Sequence, residues 1–437
     1  MARDTLTTIQ YSLERKEQKL RDLTTKVFLD KLMALARDGK GIATIKEHGR
    51  ALTAYFNIML YPGGGKGLVA ESGTYPTDQQ ESETQASVAL KMFAMTLGYT
   101  EHALKAMESD PSKMKVSTNV KIKAAVEGMQ RWMADQFAGR GDGTIGRTAA
   151  AGAPGTEITL DGPVLCSPGD IIYSNPTRAI ATAGGESGKI EGARVLDVKY
   201  DEQKIAIASD TWDDADVIHF YGAAENAGGD TNWVQGIQAA YDNVADNFQY
   251  DADDDATYDH VDTYLGLTRS TTTKANCQEY SVGDYPTLAA VQRMFSRCLA
   301  HGANPRDLVS LWNPLTYEKF CEGIQGYTPK SVNLKLPGNN FSVPVISAVG
   351  PNLPVLDSYR IPRDKILVVD KSKIYRLTAP GGWNKRAGTF WKQVQVSAAS
   401  GSDAAMKAEY RALFDVWYQL AVVLPDTACV GYGVTTT

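Results

Sequence analysis

The stretch from Glu83 to Gly146 constrains the fold most. It places a long extended segment, a proline-marked break, an amphipathic helix and a glycine-rich stop in immediate succession. Its first part, ETQASVALKMFAMTLGYT, is rich in strand formers and too mixed in period for a good helix, which predicts a long, half-exposed strand. Asp110-Pro111 breaks it. Beyond the break, Ile122, Val126, Met129, Met133 and Phe137 recur at spacings of four, three, four and four, the repeat of one helix face. Lys121, Lys123, Glu127, Arg131 and Asp135 are expected mostly toward solvent. Ser112, Ser117 and Thr118 are candidate N-caps, and Gly139, Gly141 and Gly143 end the run, because glycine takes the left-handed turn a helix terminus needs. Such a helix would span roughly 40 Å at ~1.5 Å per residue, longer than a compact core needs. Its single apolar face suits packing on one sheet. The strand AEYRALFDVWYQLAVVL, around Tyr410 to Leu424, has no other obvious partner, so Met129, Met133 and Phe137 are expected against it within one chain. The plainest interpretation is a central helix beside a surface hairpin.

The flanking segments follow in order. Residues 6–38 read as a helix, with Leu6, Ile9 and Leu13, then Leu20, Leu23 and Val27, near a heptad spacing, and Gly39 and Gly41 end it; a second helix is expected from about Thr44 to Met59. The polar, glycine-rich residues 62–83 have too little apolar surface to fold alone and form either a free loop or an arm ordered by a partner. From Thr156 to Gly222 the texture changes to short strands (TEITL, DIIYS, KIEGARVLDVKY, EQKIAIAS, DVIHFYG), which suggests a small antiparallel barrel or sandwich inserted into the chain. A helix is expected over Tyr285–His301, a buried strand over Leu308–Trp312 and a helix from near Leu315; NNFSVPVISA reads as an edge strand, and Pro425 precedes the last strand.

The 437 residues, 43% hydrophobic, allow two or three domains with real cores. No apolar run approaches the roughly 18 to 20 residues of a membrane span, and MARDTLTTIQYSLERKEQKL has no signal-peptide core. Cys166, Cys277, Cys298, Cys321 and Cys429 are odd in number and never in a C-x-x-C pair, so reduced, mostly buried thiols are expected. The net charge of -6 is uneven: residues 201–262 hold 16 Asp and Glu against one Lys, which leaves 44 basic against 35 acidic residues elsewhere. This is either a solvated acidic loop region or the acidic face of a polarised subunit whose other face is less repulsive to nucleic acid.

Signatures of chemistry are weak. His48, His102, His219, His260 and His301 form no metal-ligand pattern, and there is no nucleophile elbow. Gly63-Gly64-Gly65-Lys66-Gly67 lacks phosphate-loop spacing; Ala183 to Ile190 misses it by an Ala at the first glycine position and an Ile where a magnesium-binding hydroxyl belongs, and it leads into a strand. Asp251, Asp253, Asp255, Asp259 and Asp262 have calcium-loop spacing, but Ala256 replaces the turn glycine and Asp262 the bidentate Glu, so a solvated loop is the plainer reading beside a structural calcium site. No catalytic, cofactor-binding or metal-binding residue is assigned, no cofactor is expected, and the chain is not expected to be an enzyme.

An extended arm entering a spine-like helix closed by Gly-Asp-Gly-Thr resembles the major capsid proteins of tailed bacteriophages, the Hong Kong 97 fold. The later segments NPRDLVSLWNPLTYEKF, NNFSVPVISA, KILVVDKSKIYRL and AEYRALFDVWYQLAVVLPDTACVGYGV follow that family's order over nearly the whole chain. The chain departs from the family by the insertion and an unusually long helical N-terminus. The resemblance implies an α+β fold with an N-terminal arm (1–61), extended loop (62–109), spine helix and start of the peripheral domain (110–155), inserted β-rich domain (156–224), axial domain (225–365) and return to the peripheral sheet (366–437). It further implies an icosahedral head shell around double-stranded DNA, contacted non-specifically, with hexamers and pentamers of this chain as partners, together with portal, scaffolding and cement proteins. Localisation would be the virion after assembly in the host cytoplasm. An encapsulin-like compartment shell and a two-domain cytoplasmic enzyme are the alternatives.

Overall fold

The computed structural model describes residues 32–39, 42–48, 51–61, 82–100, 124, 127–128, 131–141, 143–153, 155, 157–175, 190–208, 210–213, 216–220, 234–241, 263–324, 330–336, 339–347, 352–378, 392–396 and 407–435. They form an α+β architecture on five sheets. Of the expected helix over residues 6–38, the part before position 32 lies outside the described residues. The remainder is a 3-10 turn, Met33–Leu35, and a short strand, β1 (Arg37–Asp38). The expected helix over Thr44–Met59 is a hairpin instead, β2 (Thr44–His48) with β3 (Ala51–Tyr61), and β3 pairs in turn with β4 (Ser82–Ala89). Leu52, Ala54, Phe56 and Ile58 are buried while Asn57 and Met59 are exposed, a two-residue repeat. Ala86 and Val88 of β4 join the same core. The apolar residues fit either period, and β4 as a ladder partner decides for the strand. After Leu90 the chain stays extended as β5 (Lys91–Thr100), so the strand expected from Glu83 is present as two.

Residues 131–138 form the helix α1, the described end of the expected spine; Ile122 and Met129 lie outside what is described, and of Val126 nothing is described either. Met133 and Phe137 enter the largest hydrophobic cluster, to which Tyr418, Leu420, Ala421 and Val422 of the C-terminal strand also belong, so the apolar face of α1 is buried in the same core as that strand. Trp132 packs on both this cluster and the next one, so α1 joins two cores.

That second core belongs to a six-stranded antiparallel sheet of β6 (Thr144–Arg147), β7 (Glu157–Thr159), β8 (Ile171–Asn175), β9 (Glu191–Lys199), β10 (Lys204–Ile207) and β11 (Val217–Phe220), in the order β6-β11-β8-β9-β10-β7. A bridge between Thr148 and Leu160 joins its first and last strands, which closes the sheet toward a barrel around Ile145, Ile158, Val195, Ile205 and Ile218. The strands match the segments read from the sequence, and β6 adds residues upstream of position 156.

A short helix, α2 (Ile237–Ala240), and a small hairpin, β12 (Thr263–Tyr264) with β13 (Leu267–Thr268), lead to a seven-stranded mixed sheet. Its elements are β14 (Gln278–Ser281), α3 (Leu288–Ala300), β15 (Leu308–Trp312), α4 (Pro314–Gly323), β16 (Lys330–Leu336), β17 (Asn339–Ile346), β18 (Leu353–Asp357) and β19 (Ile366–Asp370). Thr287 caps α3 by accepting from the Ala290 amide, and Asn313 caps α4 by accepting from Leu315 with Pro314 as first helical residue. In β15 and β19, Val309, Leu311, Leu367 and Val369 enter the largest cluster, while Leu308, Trp312, Ile366 and Val368 enter the one under α3 and α4. Covering both faces explains why LVSLW and ILVVD read as apolar runs without alternation, with only Ser310 and the terminal Asp370 polar. The expectation that NNFSVPVISA is an edge strand is overturned: β17 lies between β16 and β18, and β16 is the edge.

A 3-10 turn at Lys371–Lys373, capped by Asp370, carries the chain from β19 into β20 (Ile374–Thr378). The passage between sheets thus falls after position 370, whereas the sequence placed it at 366. β21 (Lys392–Val396) and β22 (Lys407–Val422) follow; β22 pairs with β20, β21 and, along Glu409–Tyr418, with β5. The last strand, β23 (Cys429–Tyr432), returns to the seven-stranded sheet between β14 and β19.

Candidate functional site

A buried polar joint lies where α1, the β-rich module and the loop that follows β18 meet. α1 reaches it because its last turn is enclosed on every side: Met133, Ala134, Asp135, Gln136, Phe137 and Ala138 are all buried. The C-terminal end of α1 sits directly on Gly236, where a Cβ would lie 2.5 Å from the carbonyl oxygens of Gln136, Phe137 and Gly139. Asp135, expected toward solvent, therefore has no exposed side chain. It lies opposite the apolar face, and the module covers that opposite face.

Arg360 donates from Nε to Asp135 Oδ1 at 2.7 Å, and Ser167 Oγ donates to Oδ2 at 3.2 Å. Asp170 faces the same site and accepts from the Ser167 amide at 2.8 Å, while Tyr200 donates to the Cys166 carbonyl at 3.0 Å. Burial pushes the Asp135 carboxyl up to about 6 even though the Arg360 guanidinium pulls it down. Burial likewise raises Asp170, the Cys166 thiol and the Tyr200 phenol.

Arg360 belongs to the loop 358–364, which the seven-stranded sheet holds rigidly. The Ser358 amide donates to Trp312, Asn313 Nδ2 to the Ile361 carbonyl at 2.9 Å, and Thr316 Oγ1 to the Arg363 carbonyl at 2.6 Å. From the same loop Arg363 donates to the Asp201 carbonyl, at the turn between β9 and β10. One loop therefore holds α1 through Arg360 and the module through Arg363. The Asp135 carboxylate at the centre of the joint is turned inward and held on both oxygens by partners within the chain, which suits mechanical linkage; a site for turnover would need access.

The sequence motifs do not converge on this joint. His219 is buried in β11, stacked on Tyr173 with ring centroids 6.1 Å apart, and its Nδ1 lies 3.0 Å from the Phe220 carbonyl. His301 follows α3, 4.0 Å from the buried Asp426, which Lys274 pairs at 2.6 Å. Of His48 only the backbone, in β2, is described, while His102 and His260, Gly63–Gly67, Ala183–Lys189 and Asp251–Asp262 lie outside the described residues. Among the described residues no group of three His, Cys, Asp or Glu could hold a metal ion. Cys166, Cys277, Cys298 and Cys429 are buried free thiols and Cys321 is half-buried. Among the described residues no helix is long and apolar enough to cross a membrane.

Neither a protein-family model nor a curated protein matches the sequence. Among solved structures, the chain is similar to the cyanophage A-1(L) capsid asymmetric unit at 12% identity and a TM-score of 0.48, over 93% of each chain. It is similar to the satellite phage P4 procapsid that includes the size determination protein at 10% identity and a TM-score of 0.33, over 99% of this chain and 91% of that one. The encapsulin of a complex from Synechococcus elongatus matches at 20% identity and a TM-score of 0.24, over 37% of this chain and 54% of that one. Likenesses this loose transfer no residue role.

Proposed function

We propose that the chain is a major capsid protein, a structural subunit that self-assembles into an icosahedral shell around double-stranded DNA. The observation that carries this reading is the ladder of β22 and β5. Sixteen residues of β22 extend ~53 Å at ~3.3 Å per residue. A compact globule of this length would have a radius of gyration near 22 Å, hence a diameter of only about 57 Å. A strand as long as the molecule is wide suits a subunit that reaches along its neighbours, and the further extended pair of β3 and β4 adds to that reach.

Copies of this chain are the principal partners under this reading, as hexamers and pentamers, with portal, scaffolding and cement proteins as further ones. The virion is its location, after assembly in the host cytoplasm. The excess of basic residues outside 201–262 favours non-specific contact with packaged DNA. The β-rich module is read as an insertion on the outer face, its sheet running from Thr144 to Phe220. A two-domain enzyme is disfavoured because the strongest titratable cluster, around Asp135, is closed to solvent and filled by its own partners. Sedimentation of the purified protein tests the reading: particles of megadalton size support it, and a single monomeric species under every salt and scaffold condition refutes it.

A further inference from the structure

We propose that the contact of Asp135 with Arg360 and Ser167 is the closure of a proton-sensitive joint, one that holds the β-rich module against the loop 358–364 more tightly as the solution is acidified. The geometry is that of a latch. A fully buried carboxylate on α1 is gripped from one side by the loop 358–364 through Arg360, and from the other by the module through Ser167, with Asp170 of the module facing it as a second carboxylate. Arg363 of the same loop holds the module's far turn at Asp201. Separating the module from the loop breaks the hydrogen bonds that hold the two Asp135 oxygens from opposite sides and opens the carboxyl to water.

The direction follows from linkage. With the joint closed, the Asp135 carboxyl is raised to about 6 by burial; with the joint open and the group in water it returns to its ordinary 3.8. At pH 7.5 both forms are ionised and the closed one carries the whole desolvation cost. At pH 5 the closed form is mostly protonated while the open form is still ionised, which favours closure by about tenfold relative to pH 7.5. Asp170, also raised by burial, acts in the same sense. Cys166 and Tyr200, raised by burial, stay protonated across this range, and Arg360 stays charged. The inference concerns one subunit and does not depend on the shell reading.

Hydrogen exchange on the full-length protein tests it, read at the amides of Ser167, Gly169 and Val195 on the module's side of the joint, which bond inside the module to Asp170, to Val195 and to Asp170 respectively and are reached by water when the module leaves the loop. After correction for intrinsic rates, exchange at pH 5 should be about tenfold slower than at pH 7.5 in the native protein. In Asp135→Asn, of the same shape but never ionised, the dependence should shrink to the smaller part due to Asp170. Exchange that is unchanged or faster in acid, or an Asp135→Asn protein that keeps the full tenfold dependence, overturns the proposal. Should Asp135→Asn fail to fold, Arg360→Gln serves instead. Removing the cation that holds Asp135 down moves the midpoint to higher pH, and a midpoint that stays or falls overturns the proposal equally.

Discussion

Truncating Phe137 to alanine removes a ring that is fully buried in the core that α1 shares with the C-terminal half of β22. An aromatic side chain buries about 150 to 250 Å², of which alanine retains a part, so the transfer loss at ~25 cal/mol per Å² is about 3 kcal/mol. The space left behind adds to it. Tyr418 and Leu420 lie in a strand fixed by ladders to β20 and β5 and cannot close over the gap, which places the total at ~3 to 5 kcal/mol. Urea unfolding of the unassembled subunit, followed by far-ultraviolet circular dichroism, reads this directly. With a slope of ~1 to 3 kcal/mol per molar, the midpoint should fall by at least about 1 M. A variant with an unchanged midpoint that fails to form shells would show that this face meets another subunit, and the placement of α1 on β22 would be wrong.

Replacing Gly236 by alanine should cost about 1 to 3 kcal/mol by the same assay, because the added methyl strikes the three carbonyl oxygens at the end of α1; a neutral result would mean that α1 does not seat there. Alkylation of the native, unassembled protein at pH 8 should modify Cys321 first and leave Cys166, Cys277, Cys298 and Cys429 at least about tenfold slower, since burial shields all four and also pushes up the thiols of Cys166, Cys298 and Cys429. Equal rates at Cys298 and Cys321 would contradict the packing of α3 on β19 and β23.

What the sequence disclosed followed from how each segment is surrounded. Leu308–Trp312 was legible to the residue, because a strand covered on both faces leaves an apolar run without alternation, here with Ser310 as its one polar residue, and Asn313-Pro314 stops it with a cap and a first helical proline. The module's strands were legible from their turns, as at Asp201-Glu202, where Gln203 takes a positive φ of 56°. The hairpin at Thr44–Tyr61 was not, since its apolar spacing serves a helix as well and only the distant β4 selects the strand. β17 was misplaced for a related reason: Val332, Leu334 and Leu336 of β16 alternate as a strand should, but nothing local says that this strand pairs on the outer side of β17. The joint was hidden most completely. Asp135 sits in the charged register of an amphipathic helix, and its burial depends on Arg360, 225 positions away. The only local hint was the loss of charge after it, in Gln136-Phe137-Ala138-Gly139, where a solvent-facing last turn would carry Lys or Arg.

The central claim is that this chain builds a shell, and electron microscopy of the purified full-length protein, alone and with candidate scaffolding proteins, tests it most directly. Closed hollow particles of uniform diameter are the expected result. Dispersed single subunits in every condition, at concentrations where the protein is folded by circular dichroism, would contradict it.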